Sequence, residues 1–564
     1  MGLATSRIPH PRQLKHLSDL LSAGERRLAK LALTLAVISG LVLLGHWVMR
    51  HIVTIPRAGG TLTEGMIGTP QFINPVLARP FSVDADLSRL VYRGLFKVDA
   101  NLKIVPDIAS SVTISADGKT YTVTLLKNLA WSDGEPLTAE DVRYTFETIA
   151  DPDYQSPLQL LFKGVTIATP DDYTTTFTLA SPLNPFLSYL TTGLLPAHAW
   201  QDATPQSFPL AELNTKPIGN GPFRFLNLTK DRNGNIRGYT FVRNKNSRET
   251  PFLDRFTVKF YADQTTALDA LQKGAIDSLG GFAHEFVGPA VKNHQVTDFA
   301  MSQLTAVFFN QQKNPALRAK EVRQALSLAT DKAAIIKDSL RGAGRQIEGP
   351  LLPGQDGFNR NLKTYLFSAE EARDLLEKAG WKIGSNNIRQ KGSQQLTFVL
   401  TVVNDPTFVA IGQKLVGWWQ SIGANVELKT VEAEQIQRDV IRPRAYEALL
   451  FGELYDADAD PYPLWHSTQQ KESGFNLAIS FMKGVDQDLA DARTTTDPAK
   501  RERDLFDFQN IVAEEVPAVF LYQAVYHYAH AKNLRGFPGE RLVASTDRFS
   551  SIAAWYQKTG WRWK

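Results

Sequence analysis

LTFVLTVVNDPTFVAIGQKLVGWWQSIGANVELKTV, residues 396–431, reads as a strand, a helix and a second strand in direct succession. The runs 396–403 and 426–431 are rich in β-branched residues, which favour strands. Between them, 407–422 is long enough for a helix, and Gly423 supplies the left-handed residue that commonly ends one. A strand–helix–strand unit predicts an open α/β architecture rather than a single barrel.

Strands and helices alternate in the same way before this stretch. Residues 112–126 alternate in polarity around Asp117-Gly118, a pair that favours a hairpin because both residues tolerate positive φ. Thr138 is the predicted N-cap of the helix that follows it. We predict a compact apolar strand at 306–311 and one long amphipathic helix over 320–340. These alternations extend the α/β prediction to the chain after residue 60.

Composition and charge argue against a nucleic-acid-binding protein. The 564 residues are 43% hydrophobic and 21% charged, as in ordinary folded domains that are soluble in water. The formal net charge is +4, and residues 1–30 alone carry six basic and two acidic side chains. Because the remainder is close to neutral, no broad basic face for nucleic acid is expected.

The N-terminal segment predicts a membrane anchor. LALTLAVISGLVLLGHWVM, residues 31–49, would span roughly 28 Å as a helix, close to the roughly 30 Å hydrocarbon layer of a bilayer. Arg26, Arg27 and Lys30 flank it, which places residues 1–30 in the cytoplasm and the rest outside. A cleaved signal peptide is the alternative, but its apolar region is usually about 7–15 residues long. We therefore predict an uncleaved anchor followed by a linker at 50–57.

Motifs for catalysis are missing from the sequence. The absence of cysteine excludes disulfides, thiolate metal sites and cysteine nucleophiles. Gly342-Ala343-Gly344 begins like a dinucleotide fingerprint, but Ile347 occupies the third glycine position. We therefore predict a protein that is not an enzyme, with no catalytic residues, no metal site and no cofactor.

An acidic run, Asp456, Asp458 and Asp460, is the strongest candidate for chemistry. It resembles the start of a calcium loop, but Pro461 and Ser467 replace the glycine and the glutamate that such a loop needs. Two interpretations remain: a solvated loop, or a carboxylate that faces a cleft and pairs with the ammonium group of a ligand. For the many aromatic residues nearby, core packing is the more usual role.

From about residue 59 to the C-terminus, the ordered set of segments resembles the extracellular solute-binding proteins of family 5, the peptide- and nickel-binding group of ABC importers. The segments that carry this resemblance are GGTLTEGMIGTPQFINPV at 59–76, LKNLAWSDGEPLTAEDVRYTFE at 126–147, PFLDRFTVKFYADQTTALDALQKGAIDS at 251–278, YEALLFGELYDADADPYPLWHS at 446–467 and DPAKRERDLFDFQNIVAEEVPAVFLYQ at 497–523. Each is weak alone, and the colinear set is strong.

The resemblance implies a fold and a division of the chain. The fold would be a two-lobed clamp, like that of periplasmic binding proteins of class II, cluster C, with an inserted third subdomain and one preceding transmembrane helix. Lobe I would combine 58–96, 215–304 and 520–564, the inserted subdomain would be 97–214, and lobe II would be 305–519. Crossings at 308–310 and 520–522 would form the hinge.

The resemblance also implies a ligand and the residues that bind it. Relatives hold an extended peptide through its backbone, and a carboxylate in lobe II captures the peptide α-ammonium group. Asp456 is the first candidate for that role and Asp458 the second. The other expected ligand-binding residues are Phe451, Glu453, Tyr455 and Trp465.

The expected partners are a peptide or another small solute, the permease subunits of an ABC importer, and the membrane through the N-terminal helix. The protein is expected to be a monomer that binds no nucleic acid. Two alternatives stay open. The same fold could bind a nickel chelate, a sugar or another solute, or the protein could be a surface receptor or chaperone without a transport role.

Overall fold

A computed structural model describes residues 22–79, 82–283, 286–288, 291–471, 474–537 and 539–563. The chain divides into two compact units: the described residues up to Arg57 together with those from Gln557 onward, and Ala58–Tyr556. Most of the predicted tail, 1–21, lies outside the described residues.

The first unit contains one long helix and a two-stranded ribbon. Helix α1, Ala23–His51, contains the predicted anchor and is long and apolar enough to cross a membrane. Strand β1, Ile52–Arg57, follows it directly and pairs antiparallel with β23, Lys558–Trp563. Within the predicted linker at 50–57, residues 52–57 form a strand because they pair with 558–563, and the second unit begins directly after them, at Ala58.

The second unit is built around a twelve-stranded mixed sheet. In sheet order its strands are Asn425–Val431 (β19), Thr397–Val403 (β18), Ala448–Leu454 (β20), Gln295–Phe309 (β13), Ala518–His530 (β21), Ser278–Gly280 (β12), Thr61–Ile67 (β2), Arg255–Tyr261 (β11), Ile236–Arg243 (β10) and Phe223–Lys230 (β9), with Gly344–Gln346 (β14) beside β21 and Arg541–Leu542 (β22) beside β13. The predicted strand–helix–strand unit at 396–431 is confirmed: β18 and β19 are parallel neighbours.

Smaller sheets and the helices complete this unit. A four-stranded sheet contains Ala109–Ile114 (β5), Thr120–Leu125 (β6), Thr166–Asp171 (β7) and Thr174–Thr178 (β8), and the minor strands are Phe96–Val98 (β3), Ile104–Pro106 (β4), Lys382–Ile383 (β15), Arg389–Lys391 (β16) and Gln394–Gln395 (β17). The longer helices are Val83–Val91 (α2), Ala139–Ala150 (α3), Gln264–Gln272 (α4), Lys320–Leu328 (α5), Ala369–Lys378 (α6), Pro406–Ser421 (α7), Val485–Thr494 (α8) and Pro498–Glu515 (α9). The hairpin at Asp117-Gly118 and the N-cap at Thr138 are confirmed.

The helix predicted over 320–340 is wrong. Helix α5 stops at Leu328, and Asp331 caps a separate turn by accepting a hydrogen bond from the Ala334 backbone. The Leu326 carbonyl accepts instead from the Thr330 hydroxyl, at 2.7 Å, and from the Trp419 indole, at 3.0 Å. The Leu326 carbonyl thus bonds side chains at the point where the helix ends. Amphipathic periodicity contains no information about such bonds.

The strand predicted at 306–311 is the end of a much longer one. Strand β13 runs for 15 residues and pairs with β21, with breaks in register between Ala300 and Leu304 and between Thr305 and Ala306. Before the breaks, Phe299 packs into one hydrophobic core; after them, alternate side chains such as Val307 and Phe308 enter two other cores on opposite faces of the sheet. The two long strands therefore connect separately packed parts of this unit.

A buried ionic network joins distant parts of the chain. The Arg548 guanidinium lies 3.3 Å from Glu64 on β2 and 2.7 Å from Asp86 on α2. The Tyr528 hydroxyl donates to Glu64 at 2.7 Å, and the Ser278 hydroxyl donates to the same carboxylate. Glu64 is fully buried, and this burial raises its pKa despite the opposing effect of Arg548. The network fixes the C-terminal part of this unit against its first strand.

Candidate functional site

The main cavity of the second unit has a volume of about 1200 Å³. Its walls come from four parts of the chain: 75–98, 158–193, 437–477 and 543–547. Pockets for single small molecules usually have about 300–1,000 Å³. The cavity is therefore large enough for a ligand of several residues.

Strand β20 forms one wall of this cavity. Four of the six residues expected to bind ligand line it, either within the strand or just after its end: Phe451, Glu453, Tyr455 and Asp456. The strand pairs with β13 along its whole length, whereas its pairing with β18 ends at Leu450. Within the described part of the chain, no strand pairs with the second edge of 451–454. Backbone donors and acceptors at that edge are available to an extended ligand.

Trp465 lies behind the wall instead of on it. Its ring is 1% exposed and packs in the core against Phe508 and Phe520, with centroids 6.1 and 5.7 Å away. Its indole N–H donates to the Tyr455 hydroxyl at 2.9 Å. The structure thus gives Trp465 a supporting position, in which it fixes the ring of Tyr455, a residue that lines the cavity.

Asp456 is held in an environment that disfavours its own charge. Burial, and then the nearby carboxylates of Asp458 and Asp460, raise the pKa of Asp456 to about 7. Asp460 lies 3.2 Å from the Arg493 guanidinium, which compensates its charge. The negative charge of Asp456 is therefore repelled by two neighbouring carboxylates and has little positive charge near it. A cationic ligand in the cavity would offset this repulsion.

Asp458, the second candidate, lies among protein groups rather than on the cavity wall. Burial raises its pKa to about 6, and the charge of Arg501 and a hydrogen bond with Ser188 oppose that rise. Arg501 also donates to the Asp458 backbone carbonyl at 3.1 Å. Of the two candidates, Asp456 lines the cavity and Asp458 does not.

Glu453 is a buried carboxyl group on the same wall. It is 5% exposed, and within the described part of the chain neither of its oxygens has a hydrogen-bond partner. Burial raises its pKa well above the usual value, although the charge of Arg444 acts in the opposite direction. A neutral carboxyl group can donate as well as accept a hydrogen bond, so Glu453 is suited to a backbone amide or carbonyl of a ligand.

The facing wall comes from 184–193, a stretch that the sequence analysis did not select. Tyr189 lines the cavity near Asp456, and burial raises its pKa to about 12. Asn184 fastens this wall to the end of α8, because its side-chain amide donates to the carbonyls of Ala492, at 2.9 Å, and Thr495, at 2.7 Å. No local motif marks these residues, since their role depends on contacts with residues about 300 positions away.

The cavity also has basic residues, Arg89, Arg442 and Lys471. Arg89 is paired with Asp547 at 2.9 Å, whereas Arg442 and Lys471 have exposed side chains. Charges of both signs therefore line one cavity, which suits a zwitterionic ligand. In the described part of the chain, no group of three or more His, Asp or Glu side chains is placed to hold a metal ion.

Comparison with known proteins finds a matching family model and relatives named as peptide-binding proteins. The family model described as bacterial extracellular solute-binding proteins, family 5 Middle, matches residues 103–475. The oligopeptide-binding protein AppA of Bacillus subtilis is 26% identical over 497 residues, which cover 86% of this chain and 89% of the relative. The probable D,D-dipeptide-binding periplasmic protein DdpA of Escherichia coli is 28% identical over 447 residues, 76% of this chain and 81% of the relative.

Solved structures extend the similarity to the whole fold. The structure of Bacillus subtilis AppA in complex with a nonapeptide matches with a TM-score of 0.70 and 25% identity, covering 89% of this chain and 99% of the other. The structure of NikZ from Campylobacter jejuni in complex with Ni(L-His) matches with a TM-score of 0.69 and 25% identity, covering 88% of this chain and 99% of the other. The predicted α/β fold of the periplasmic peptide-binding type is thereby confirmed.

Proposed function

Since the chain belongs to the bacterial extracellular solute-binding proteins of family 5, a family of binding proteins of ABC importers that are not enzymes, we propose that it captures peptides in the Asp456 cavity and delivers them to a permease. The observation that carries this proposal is the position of Asp456, a buried carboxylate on the cavity wall among other carboxylates. The α-ammonium group of a peptide supplies the missing positive charge.

The open edge of β20 supports a peptide over a compact solute. An extended peptide that lies along 451–454 would continue the sheet, and main-chain hydrogen bonds of this kind tolerate many side chains. Apolar cavity residues such as Leu161 and Phe475 would accommodate peptide side chains. The large cavity volume and the peptide-binding names of two relatives agree with this proposal.

Capture would proceed by closure of two lobes. In the proposed division, lobe I consists of 58–96, 215–304 and 520–556, and lobe II of 305–519, with the inserted subdomain at 97–214. The expected third part of lobe I, 520–564, is shortened because the residues from Gln557 onward belong to the first unit. The expected hinge crossings, 308–310 and 520–522, lie at the end of β13 and within β21, and they stay a prediction. The register breaks in β13 are additional hinge points in this proposal because they interrupt the ladder between separately packed cores. A ligand shifts the open–closed equilibrium only through contacts that require both walls, such as Asp456 on one and Tyr189 on the other.

The proposal places the second unit outside the cell membrane, with α1 as an uncleaved single-pass anchor and its N-terminal end in the cytoplasm. The length of α1 and the absence of a cysteine for lipidation support this arrangement. Anchoring would confine the binding protein to the plane of the membrane that holds its permease.

Free-amine peptides are expected to bind and stabilise the full-length protein, whereas their N-acetylated counterparts are not. A peptide at 100 times its Kd adds about 2.7 kcal/mol to the free energy of unfolding. Acetylation removes the charge that pairs with Asp456 and leaves every other group of the peptide in place. Titration calorimetry and X-ray scattering in detergent check affinity and compaction. Equal binding of acetylated and free peptides would contradict the proposal, and selective binding of a nickel chelate or a sugar would favour the alternative ligands.

Peptide affinity is expected to be greatest between about pH 7 and 8. Asp456 has a pKa of about 7 in the free protein, so below pH 7 a peptide must displace a proton from it, which costs up to about tenfold in Kd per pH unit. Above about pH 8, the peptide ammonium group itself loses its proton, because its ordinary pKa is about 7.7–8.0. Calorimetry at pH 6 in buffers of different ionisation enthalpy measures the released proton directly. An affinity that stays constant from pH 5 to 7 would exclude Asp456 as the partner of the ammonium group.

A further inference from the structure

The ribbon of the first unit brings the C-terminal strand back to the end of the apolar helix. Strands β1 and β23 pair over six residues, from Ile52 opposite Trp563 to Arg57 opposite Lys558. Trp563 therefore lies beside the last turn of α1, where the centroids of its ring and the Trp47 ring are 5.9 Å apart. Residues separated by about 500 positions in sequence thus meet where the helix would leave the membrane.

Two tryptophans of this ribbon expose an unusual amount of apolar surface. Trp561 is 78% exposed and Trp563 is 57% exposed. They are two residues apart on one strand, so their side chains project from the same face of the ribbon. Tryptophan is enriched at the boundary between hydrocarbon and water, since its ring is apolar and its N–H is a donor.

The charges of the ribbon have one sign. Arg57, Lys558 and Arg562 in the ribbon are basic, as is Arg50 in the last turn of α1, and the stretches 50–57 and 558–563 contain no acidic residue. Basic side chains next to a membrane-crossing helix are attracted to acidic lipid headgroups. Charge and exposed indole rings therefore favour the same partner, a lipid surface.

The dimensions of the ribbon agree with this partner. A bilayer has a hydrocarbon layer of about 30 Å within a total of about 40–45 Å, which leaves about 5–8 Å of headgroups on each side. Along a strand, Trp561 lies about 7 Å beyond Trp563 at about 3.4 Å per residue. If the last turn of α1 ends at the hydrocarbon boundary, both indole rings fall within one headgroup layer.

We propose that the ribbon formed by 52–57 and 558–563 is a second membrane attachment, which inserts Trp561 and Trp563 among the lipid headgroups of the outer leaflet and binds acidic lipid through its basic side chains. This inference rests on the membrane-anchored part of the proposed function. The C-terminal end of the second unit is thereby tied to the same membrane as its N-terminal end.

Spin labels test the proposal in the full-length chain, which has no cysteine of its own. Thr54→Cys carries the label on the ribbon and keeps both tryptophans and every basic side chain. Thr54 is exposed and lies directly opposite Trp561, so its side chain shares the face of the two indole rings. Leu41→Cys carries the label within α1, and Asn233→Cys carries it on an exposed turn of the second unit. Each is reconstituted in vesicles of phosphatidylcholine and phosphatidylglycerol, and its accessibility to oxygen and to a water-soluble nickel chelate is measured. The oxygen-to-nickel ratio at position 54 is expected to lie between the high ratio at 41 and the low ratio at 233.

The matched control places the same label at 54 in a Trp561→Ser/Trp563→Ser background, where the ratio is expected to fall several-fold toward that of position 233. A ratio at 54 equal to that at 233, with 41 still buried in lipid, overturns the ribbon proposal and leaves the anchor intact. An aqueous signal at 41 overturns the anchor and the ribbon together. A label at 54 that is shielded from both reagents overturns the lipid proposal in favour of a protein contact. Peptide binding, measured in the same samples, reports on the proposed capture function independently.

Discussion

The substitution Asp456→Asn is expected to weaken the binding of free-amine peptides by about 2–5 kcal/mol, or roughly 30-fold to several thousand-fold in Kd. Asparagine keeps the size of the side chain and removes the charge that faces the cavity. The bound ammonium group would then be buried against a neutral amide. Asp460 is already paired with Arg493, and the charge of Asp458 is already opposed by that of Arg501. Titration calorimetry at pH 7.5 measures the loss.

The stability of the ligand-free variant separates this effect from misfolding. Because the folded-state pKa of Asp456 is raised from its ordinary 3.8 to about 7, the stability contribution of this group is fully present below about pH 4 and is lost as the pH rises through 7. Asp456→Asn removes this loss, so the free variant is expected to unfold at a higher temperature than the wild type at pH 8. Asp458→Asn, which alters a carboxylate off the cavity wall, is the matched control and is expected to keep most of the peptide affinity. If both variants bind peptides as tightly as the wild type does, Asp456 does not hold the ammonium group.

The substitution Arg548→Met is expected to lower the free energy of unfolding of the second unit by about 3–5 kcal/mol. Methionine fills part of the space and leaves Glu64 fully buried with its hydroxyl partners but without a positive charge. Asp86 is less affected because its carboxylate retains some contact with water. Denaturant titration at pH 8 measures the loss.

The double variant Glu64→Gln/Arg548→Met is the control for this prediction. It removes the unpaired charge, so it is expected to recover a substantial part of the lost stability. Burial already raises the pKa of Glu64, and loss of Arg548 raises it further. The cost of the single variant is therefore expected to shrink as the pH falls and Glu64 takes up a proton. A cost that is the same at pH 5 and pH 8, and unchanged in the double variant, would show that lost packing rather than unpaired charge is responsible.

Local patterns predicted much of the secondary structure and failed where tertiary contacts intervene. The unit at 396–431 has the predicted elements because hydrophobic periodicity, Gly423 and the strand residues all favour the same structure. The predicted helix over 320–340 ends at Leu328, where the Trp419 indole, about 90 residues away, donates to the Leu326 carbonyl and the Thr330 hydroxyl, and Asp331 caps a new turn. Periodicity records which face of a segment is apolar and contains no information about a distant donor.

The candidate site also combines residues that local sequence predicted with residues that only tertiary contacts bring to the cavity. The acidic run at 456–460 is a local feature of the sequence, and the family resemblance singled out Asp456 within it. Glu453 and Tyr455 were predicted from the same segment of sequence, which forms the end of β20 and the residue after it. The partner wall with Asn184 and Tyr189 could not be predicted, since its stretch carries no distinctive motif and its contacts join residues far apart in the chain. Trp465 was expected at the ligand, and the structure places it in the core behind Tyr455.

By itself, the sequence determined the α/β class, the apolar N-terminal helix and the family to which the chain belongs, because these depend on composition, periodicity and the order of local segments. Only the tertiary structure decided which carboxylate lines the cavity and which stretch of the chain forms the opposite wall. It also decided that strand β23 pairs with β1, beside the end of the first helix. The physical reason is that burial, charge compensation and strand pairing are properties of neighbours in space, and here those neighbours are tens to hundreds of residues apart in the chain.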